Sequence, residues 1–239
     1  MLECGISKLS NLSTDRHPRG GVRSNGVESI ILLNKGGTAV DVSDFFSRYC
    51  FPKLQHLELS KCRITSWDRL TSRTAVLTTL ILRLGDPSPT PTTSKLLSIL
   101  ASNPTLRKIV LSTHAIPNDG GGNSSFRVPL HHLEKLELAG GLRHVVELLH
   151  QLDHPSNMDR LDINLLDCTI ADVSQIVGPY LRDYLRRRDK SQNGLGLSVS
   201  QAERGIILHA GDTGGIGPSN PVWKHMVPFV SIKMGLNHT

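Results

Sequence analysis

One apolar pattern recurs along this chain at a nearly constant interval. Its clearest copy is LQHLELSKCRI at residues 54–64, and a second copy is LRKIVLSTHAI at residues 106–116. Shorter copies of the pattern begin at Val27, Leu77, Leu133 and, in either of two registers, Met158 or Arg160. The first five copies therefore start 23 to 29 residues apart. A single copy occurs in many amphipathic segments, but six copies at this interval indicate a repeating structural unit.

The alternation inside each copy is typical of a short β-strand. Successive side chains of a strand point to opposite faces, so Leu57 and Leu59 are expected inside while His56, Glu58 and Ser60 face solvent. Intervals of about 20–29 residues are typical of leucine-rich repeats. We therefore predict an α/β fold, a leucine-rich-repeat solenoid of about six repeats, in which helices cover the convex side of a curved parallel sheet.

The segments between the strands contain both helical patterns and loops. Apolar residues at helical spacing predict helices over residues 42–49, 94–100, 142–149 and 171–189. Residues 86–93 and 118–125 are rich in Pro, Gly, Ser and Thr, so we expect irregular connections there. In the longest helix, Gly178 and Pro179 predict a kink.

The repeats also define the expected domain organisation. Residues 1–26 are predicted to be an irregular N-terminal segment, and residues 27–190 to be the repeats. Residues 191–239 are predicted to form a β-rich cap, because a solenoid needs a terminal unit that shields its last open face. Strands of this cap are expected at residues 195–199, 205–209 and 228–234.

Motifs that would indicate catalysis or a cofactor are missing from the sequence. It contains no GxSxG elbow, and the glycine-rich stretch 211–217 lacks the Lys-Ser/Thr ending of a phosphate-binding loop. His144, His150 and His154 are spaced six and four residues apart, which does not bring three metal ligands together. We therefore predict a protein that is not an enzyme and that has no cofactor, no metal and no catalytic residues.

Charge and aromatic content argue against a nucleic-acid-binding protein. The net charge is +6, but much of the excess lies in the run from Arg182 to Lys190, and only 4% of the residues are aromatic. Cations in that run complement the C-terminal end of a helix, which is the interpretation we favour. The alternative is that they contact phosphates or an acidic partner.

Two further features bear on the compartment. No apolar run approaches the roughly 20 residues of a membrane span, and the first residues do not resemble a signal peptide. The four cysteines form no CxxC pair, which is typical of a reducing environment. We expect an intracellular protein, cytoplasmic or nuclear, with no membrane partner.

The outward-facing side chains of the six strands are the candidate protein-binding residues. This outer face, as we call it, mixes charged, hydroxyl and aliphatic groups: Ser29, Ile31, His56, Glu58, Ser60, Thr79, Ile81, Arg83, Lys108, Val110, Ser112, Lys135, Glu137, Arg160, Asp162 and Asn164. Exposed Ile31, Ile81 and Val110 would favour contact with a protein, although single apolar residues are common on surfaces. The alternative interpretation is a solvated sheet face without a partner.

Three segments resemble the leucine-rich-repeat region of fungal F-box proteins. They are FPKLQHLEL at 51–59, LLSILASNPTL at 96–106 and VGPYLRDYLRRR at 177–188, and the resemblance covers residues 27–199. It implies that the repeats recognise the substrate of a ubiquitin ligase, while an F-box binds the cullin-type ligase adaptor. Residues 1–26 are too short for an F-box. We therefore expect a ligase adaptor as partner only if an F-box lies upstream; the alternative is a stand-alone scaffold or inhibitor.

Overall fold

A nine-stranded β-sheet organises the fold. The computed structural model describes residues 2–5, 14–16, 22–24, 26–36, 38–71, 76–86, 88–120, 127–153, 155, 158–166, 168, 172, 175, 177–179, 195–202 and 205–212. Within these residues the chain is α/β, and the six central strands of the sheet are parallel. The predicted fold class and the predicted parallel sheet are therefore confirmed.

The six parallel strands follow one another across the sheet in chain order. They are β2 (Ser29–Asn34), β3 (His56–Ser60), β4 (Thr79–Arg83), β5 (Lys108–Leu111), β6 (Lys135–Gly141) and β7 (Arg160–Leu166). Each lies within one of the six copies of the apolar pattern. Equivalent positions of neighbouring copies are direct partners: Leu57 pairs with Ile30 on one side and with Leu80 on the other.

Alternate side chains of these strands are buried, as the pattern predicts. Leu57 and Leu59 are fully buried, whereas His56 and Glu58 are half-buried on the opposite face. Met158 is also fully buried, at the position that Leu54 occupies in its own copy. The sixth copy therefore begins at Met158 and not at Arg160.

Helices follow several of the strands and bury apolar side chains against the inner face of the sheet. The structure contains α1 (Ser43–Arg48), α2 (Asp68–Thr71), α3 (Thr93–Ala101), α4 (Leu142–His150) and a 3-10 turn at Thr113–Ala115. The first, third and fourth confirm predicted helices to within one residue at each end. The short α2 was not predicted. Thr92 caps α3 by accepting a hydrogen bond from the Lys95 backbone N–H at 3.3 Å.

Buried polar side chains link consecutive copies of the pattern. Asn103 is fully buried, and its Nδ2 donates to the Ile99 carbonyl at 2.8 Å while its Oδ1 accepts from the Leu77 N–H at 3.2 Å. The Cys62 thiol donates to the Leu32 carbonyl at 3.5 Å, and burial raises the pKa of that thiol. The Asn103 contacts satisfy two backbone groups inside the core.

Antiparallel strands continue the sheet beyond both ends of the parallel part. Strand β1 (Leu2–Gly5) pairs with β2, and β9 (Gly205–Asp212) pairs with β7 and with the outermost β8 (Leu195–Ala202). The two predicted cap strands are thus present, and each is three residues longer than predicted. The predicted strand at 228–234 lies outside the described residues, as do residues 213–217 of the glycine-rich stretch.

The N-terminal segment differs from its prediction. Besides β1, residues 1–26 contain strands at Thr14–Arg16 and Val22–Ser24, which form a small sheet with Tyr49–Cys50. The prediction of an irregular segment is therefore wrong. Edge strands receive backbone hydrogen bonds from a neighbour, and a short polar sequence carries no alternation that would reveal them.

The remaining elements are minor. Val40–Asp41 pairs with Cys62–Arg63, and Val128–Pro129 pairs with Leu152–Asp153.

Of the helix predicted at 171–189, only residues 172, 175 and 177–179 are described; they are helical, and Val177 is buried. The rest of that helix, with the basic run from Arg182 to Lys190, lies outside the described residues.

Candidate protein-binding face

The strand register arranges the outer face into rows that cross the sheet. The first row contains residues in direct register across the six parallel strands: Ser29, His56, Thr79, Lys108, Lys135 and Arg160. The middle row lies two residues further along each strand: Ile31, Glu58, Ile81, Val110, Glu137 and Asp162. Ser60, Arg83 and Asn164 lie beyond the middle row, and Ser112 directly follows β5.

Two apolar residues of the middle row are not exposed. Ile81 and Val110 retain only 4% and 2% of their accessible surface, and Ile31 is half-buried. The prediction that these aliphatic side chains stand exposed on the outer face is therefore wrong for Ile81 and Val110. Both lie between Glu58 and Glu137 in the same row.

Arg83 connects the two glutamates of the middle row. Its guanidinium lies 3.3 Å from the Glu58 carboxylate and 3.9 Å from that of Glu137. Those residues are on β3 and β6, so the guanidinium lies between them, over the positions of Ile81 and Val110 on β4 and β5. Sequence reasoning placed Arg83 on the outer face but did not foresee this bridge.

The first row is cationic over half of its length. Lys108, Lys135 and Arg160 are direct partners on β5, β6 and β7. Arg160 forms an ion pair with Asp162 of its own strand at 2.5 Å, whereas Lys108 and Lys135 have no ion-pair partner among the described residues. Burial lowers the pKa of Lys135, and the neighbouring charges of Arg160 and Lys108 lower it further, against the opposing effect of Asp162 and Glu137.

The opposite end of the first row is close to neutral. His56 Nε2 lies 3.8 Å from the Glu58 carboxylate, too far for a hydrogen bond, and accepts or donates none within the described part of the chain. Elsewhere on the outer face, just past the end of β5, the Ser112 Oγ is also buried without a hydrogen-bond partner among the described residues. A buried polar atom without a hydrogen-bond partner costs folding free energy.

None of the described helices lies over the outer face. The buried side chains of α1, α3 and α4 belong to the same core as the inward leucines, on the other side of the sheet. Parallel sheets are usually covered on both faces. A parallel sheet with one polar face that no described helix covers is therefore unusual, and it makes the outer face the main candidate for a functional surface.

Other kinds of site find little support in the part of the chain that the structure describes. Its His, Cys, Asp and Glu side chains form no group of three that could hold a metal ion. His144 and His150 both lie on α4, and His154 is outside the described residues. Among the described helices, none has the length and apolar character needed to cross a membrane.

Comparison with known proteins gives no indication of the function. No protein-family model, curated protein or solved structure matches the chain. The structure places all the predicted binding residues on one side of the sheet, apart from Ser112, which lies just past the end of its strand. Leu33 and Ala139 share that side and were not predicted, although the alternation of β2 and β6 would have identified them.

Proposed function

We propose that this chain is a leucine-rich-repeat protein-interaction module that binds a protein target on the outer face of its sheet. The observation that carries the proposal is the six-stranded parallel sheet whose polar face no described helix covers. In repeat proteins, a stack of similar units presents such a face as an extended binding surface. The interval of the six copies supports the same class of fold.

The chemistry of the outer face favours a protein target. Its side chains combine opposite charges, hydroxyl groups and the half-buried aliphatic side chains of Ile31 and Leu33 on one face of the sheet. Protein interfaces have a similar mixture of polar and apolar groups. The Arg83 bridge also holds Glu58 and Glu137 in place, which reduces the side-chain entropy lost when a partner binds.

The resemblance to fungal F-box proteins extends this proposal to a biological role. In that role the module recognises the substrate of an F-box-type ubiquitin ligase, and an F-box joined upstream binds the adaptor. The alternative is a stand-alone scaffold or inhibitor. Co-purification of a ligase adaptor with a chain extended by its upstream coding sequence supports the ligase role, and failure to recover the adaptor with that extended chain favours the alternative.

Binding through the outer face can be tested with two matched double variants. His56→Ala with Glu58→Ala removes a charge-bearing pair from the outer face, while Arg143→Ala with Glu147→Ala removes the exposed pair on α4. We expect affinity purification with quantitative mass spectrometry to show proteins that are lost with the first variant and kept with the second. Equal recovery with both variants, at unchanged thermal stability, would refute binding through this face.

A further inference from the structure

Three adjacent cations on the outer face point to the chemistry of the target. We propose that Lys108, Lys135 and Arg160, which we call the cationic strip, bind an acidic segment of the partner protein. The proposal rests on the proposed function, because it assumes that the outer face is the docking surface, and it specifies what that surface recognises.

The strip is a continuous row of cationic side chains, in which Arg160 already pairs with Asp162. Its three residues are direct partners on three neighbouring parallel strands. Since neighbouring strands lie about 4.8 Å apart, the three Cα positions span about 10 Å. A segment with two carboxylates on alternate residues fits within that length, because such residues of an extended peptide are about 6.6–7 Å apart.

The carboxylates that the outer face itself provides are engaged elsewhere. Glu58 and Glu137 face the guanidinium of Arg83, and Asp162 pairs with Arg160. Lys108 and Lys135 therefore remain without an acidic partner among the described residues. Lys135 is also half-buried, so its ammonium is incompletely hydrated and gains more from a docked carboxylate than a fully solvated lysine does. Burial is the main cause of the lowered pKa of Lys135, and the like charges of Arg160 and Lys108 add to it.

The row beside the strip favours an acidic protein segment over a nucleic acid. Glu137 and Asp162 lie two residues further along β6 and β7, about 7 Å from the strip. Carboxylates at that distance repel a polyphosphate backbone, which carries charge along its whole length. A protein segment can instead place acidic side chains on the strip and neutral or basic ones beside the middle row. The outer face also lacks the aromatic side chains on which bases stack.

A labelled peptide of alternating Glu and Ser is the probe for this proposal, and a peptide of alternating Gln and Ser is its control. We expect fluorescence anisotropy at low ionic strength to show binding of the Glu peptide and not of the Gln peptide. Changing Lys108→Gln and Lys135→Gln together should weaken binding of the Glu peptide about tenfold, with thermal unfolding unchanged. Lys53→Gln with Arg127→Gln, which removes two exposed charges outside the sheet strands, should change the affinity less than about twofold.

Three results would overturn the acidic-segment proposal: no binding of the Glu peptide, equal weakening by both double variants, or tighter binding of a single-stranded oligonucleotide than of the peptide. These outcomes are distinct from failure of the proposed function. If the His56 and Glu58 variant loses captured proteins but the Glu peptide does not depend on Lys108 and Lys135, the outer face binds a protein by other contacts. If that variant loses none, the proposed function itself is wrong.

Discussion

The two faces of the parallel sheet are built from the same strands but obey different constraints. On the inner face, side chains such as Leu57, Leu80 and Leu136 are fully buried and form one continuous core. On the outer face, most side chains are half-buried, opposite charges are paired, and two lysines have no acidic partner among the described residues. Because successive residues alternate between the faces, the sequence can specify the fold on one side and recognition on the other.

The largest expected loss of stability comes from truncating a side chain on the inner face. Leu57→Ala should lower the free energy of unfolding by about 2–5 kcal/mol, because it leaves a cavity at a fully buried position. Urea denaturation measures this loss. Leu33→Ala, at a half-buried position on the outer face, is the control and should cost about 1 kcal/mol or less. Equal losses would contradict the difference between the faces.

A buried amide gives the next largest effect. Asn103→Ala removes the acceptor of the Leu77 N–H and the donor to the Ile99 carbonyl, so both backbone groups lose a partner inside the core. We expect a loss of about 1–3 kcal/mol in the free energy of unfolding, measured by urea denaturation. Ser102→Ala, which removes an exposed hydrogen bond to the Ser98 carbonyl, should cost clearly less. A loss from Asn103→Ala no larger than this control would show that the amide does not join the two copies.

How much the sequence predicts differs between the two faces. The six strands, their register and three helices followed from periodicity, because a repeated pattern of leucines reports directly on which side of an element is buried. The burial of Ile81 and Val110 did not follow from the pattern, since the alternation places both residues on the outer face and does not say what packs over them. The alignment of the three cations could have been read from equivalent positions in the copies. The lack of an ion-pair partner for Lys108 and Lys135 among the described residues could not.

The bridge made by Arg83 should contribute only modestly to stability. A double-mutant cycle with Arg83→Ala and Glu58→Ala should give a coupling energy of about 0.5–1 kcal/mol, because the arginine is 45% exposed and the glutamate 19%. The Arg143 and Glu147 pair on α4 is the control, with an expected coupling of about 0.3–0.5 kcal/mol. Zero coupling for Arg83 and Glu58, measured by chemical denaturation, would show that the bridge does not stabilise the fold.

The smallest effect on stability should come from replacing Lys135. Unlike the changes above, this replacement should not lower the stability. Folding lowers its pKa from the ordinary value of 10.5, so the unfolded chain holds the proton more tightly and the charged side chain destabilises the fold at neutral pH. Lys135→Gln should therefore leave the thermal midpoint unchanged or slightly raised at pH 7. This advantage should shrink as the pH rises above the folded pKa of Lys135 and vanish above the ordinary value of 10.5. A lowered midpoint at pH 7 would mean that the lysine stabilises the free protein.

Thiol accessibility tests most directly whether the outer face is open to a partner. Thr79→Cys places a thiol in the first row, half-buried and beside the cationic strip, while native Cys62 lies buried in the core. The quantity to measure is the rate at which a bulky maleimide labels position 79 in the folded protein, with the wild-type chain as background. Labelling much faster than that of Cys62 is the predicted result. Protection of position 79 equal to that of Cys62, at unchanged thermal stability, would show that another part of the chain covers this face.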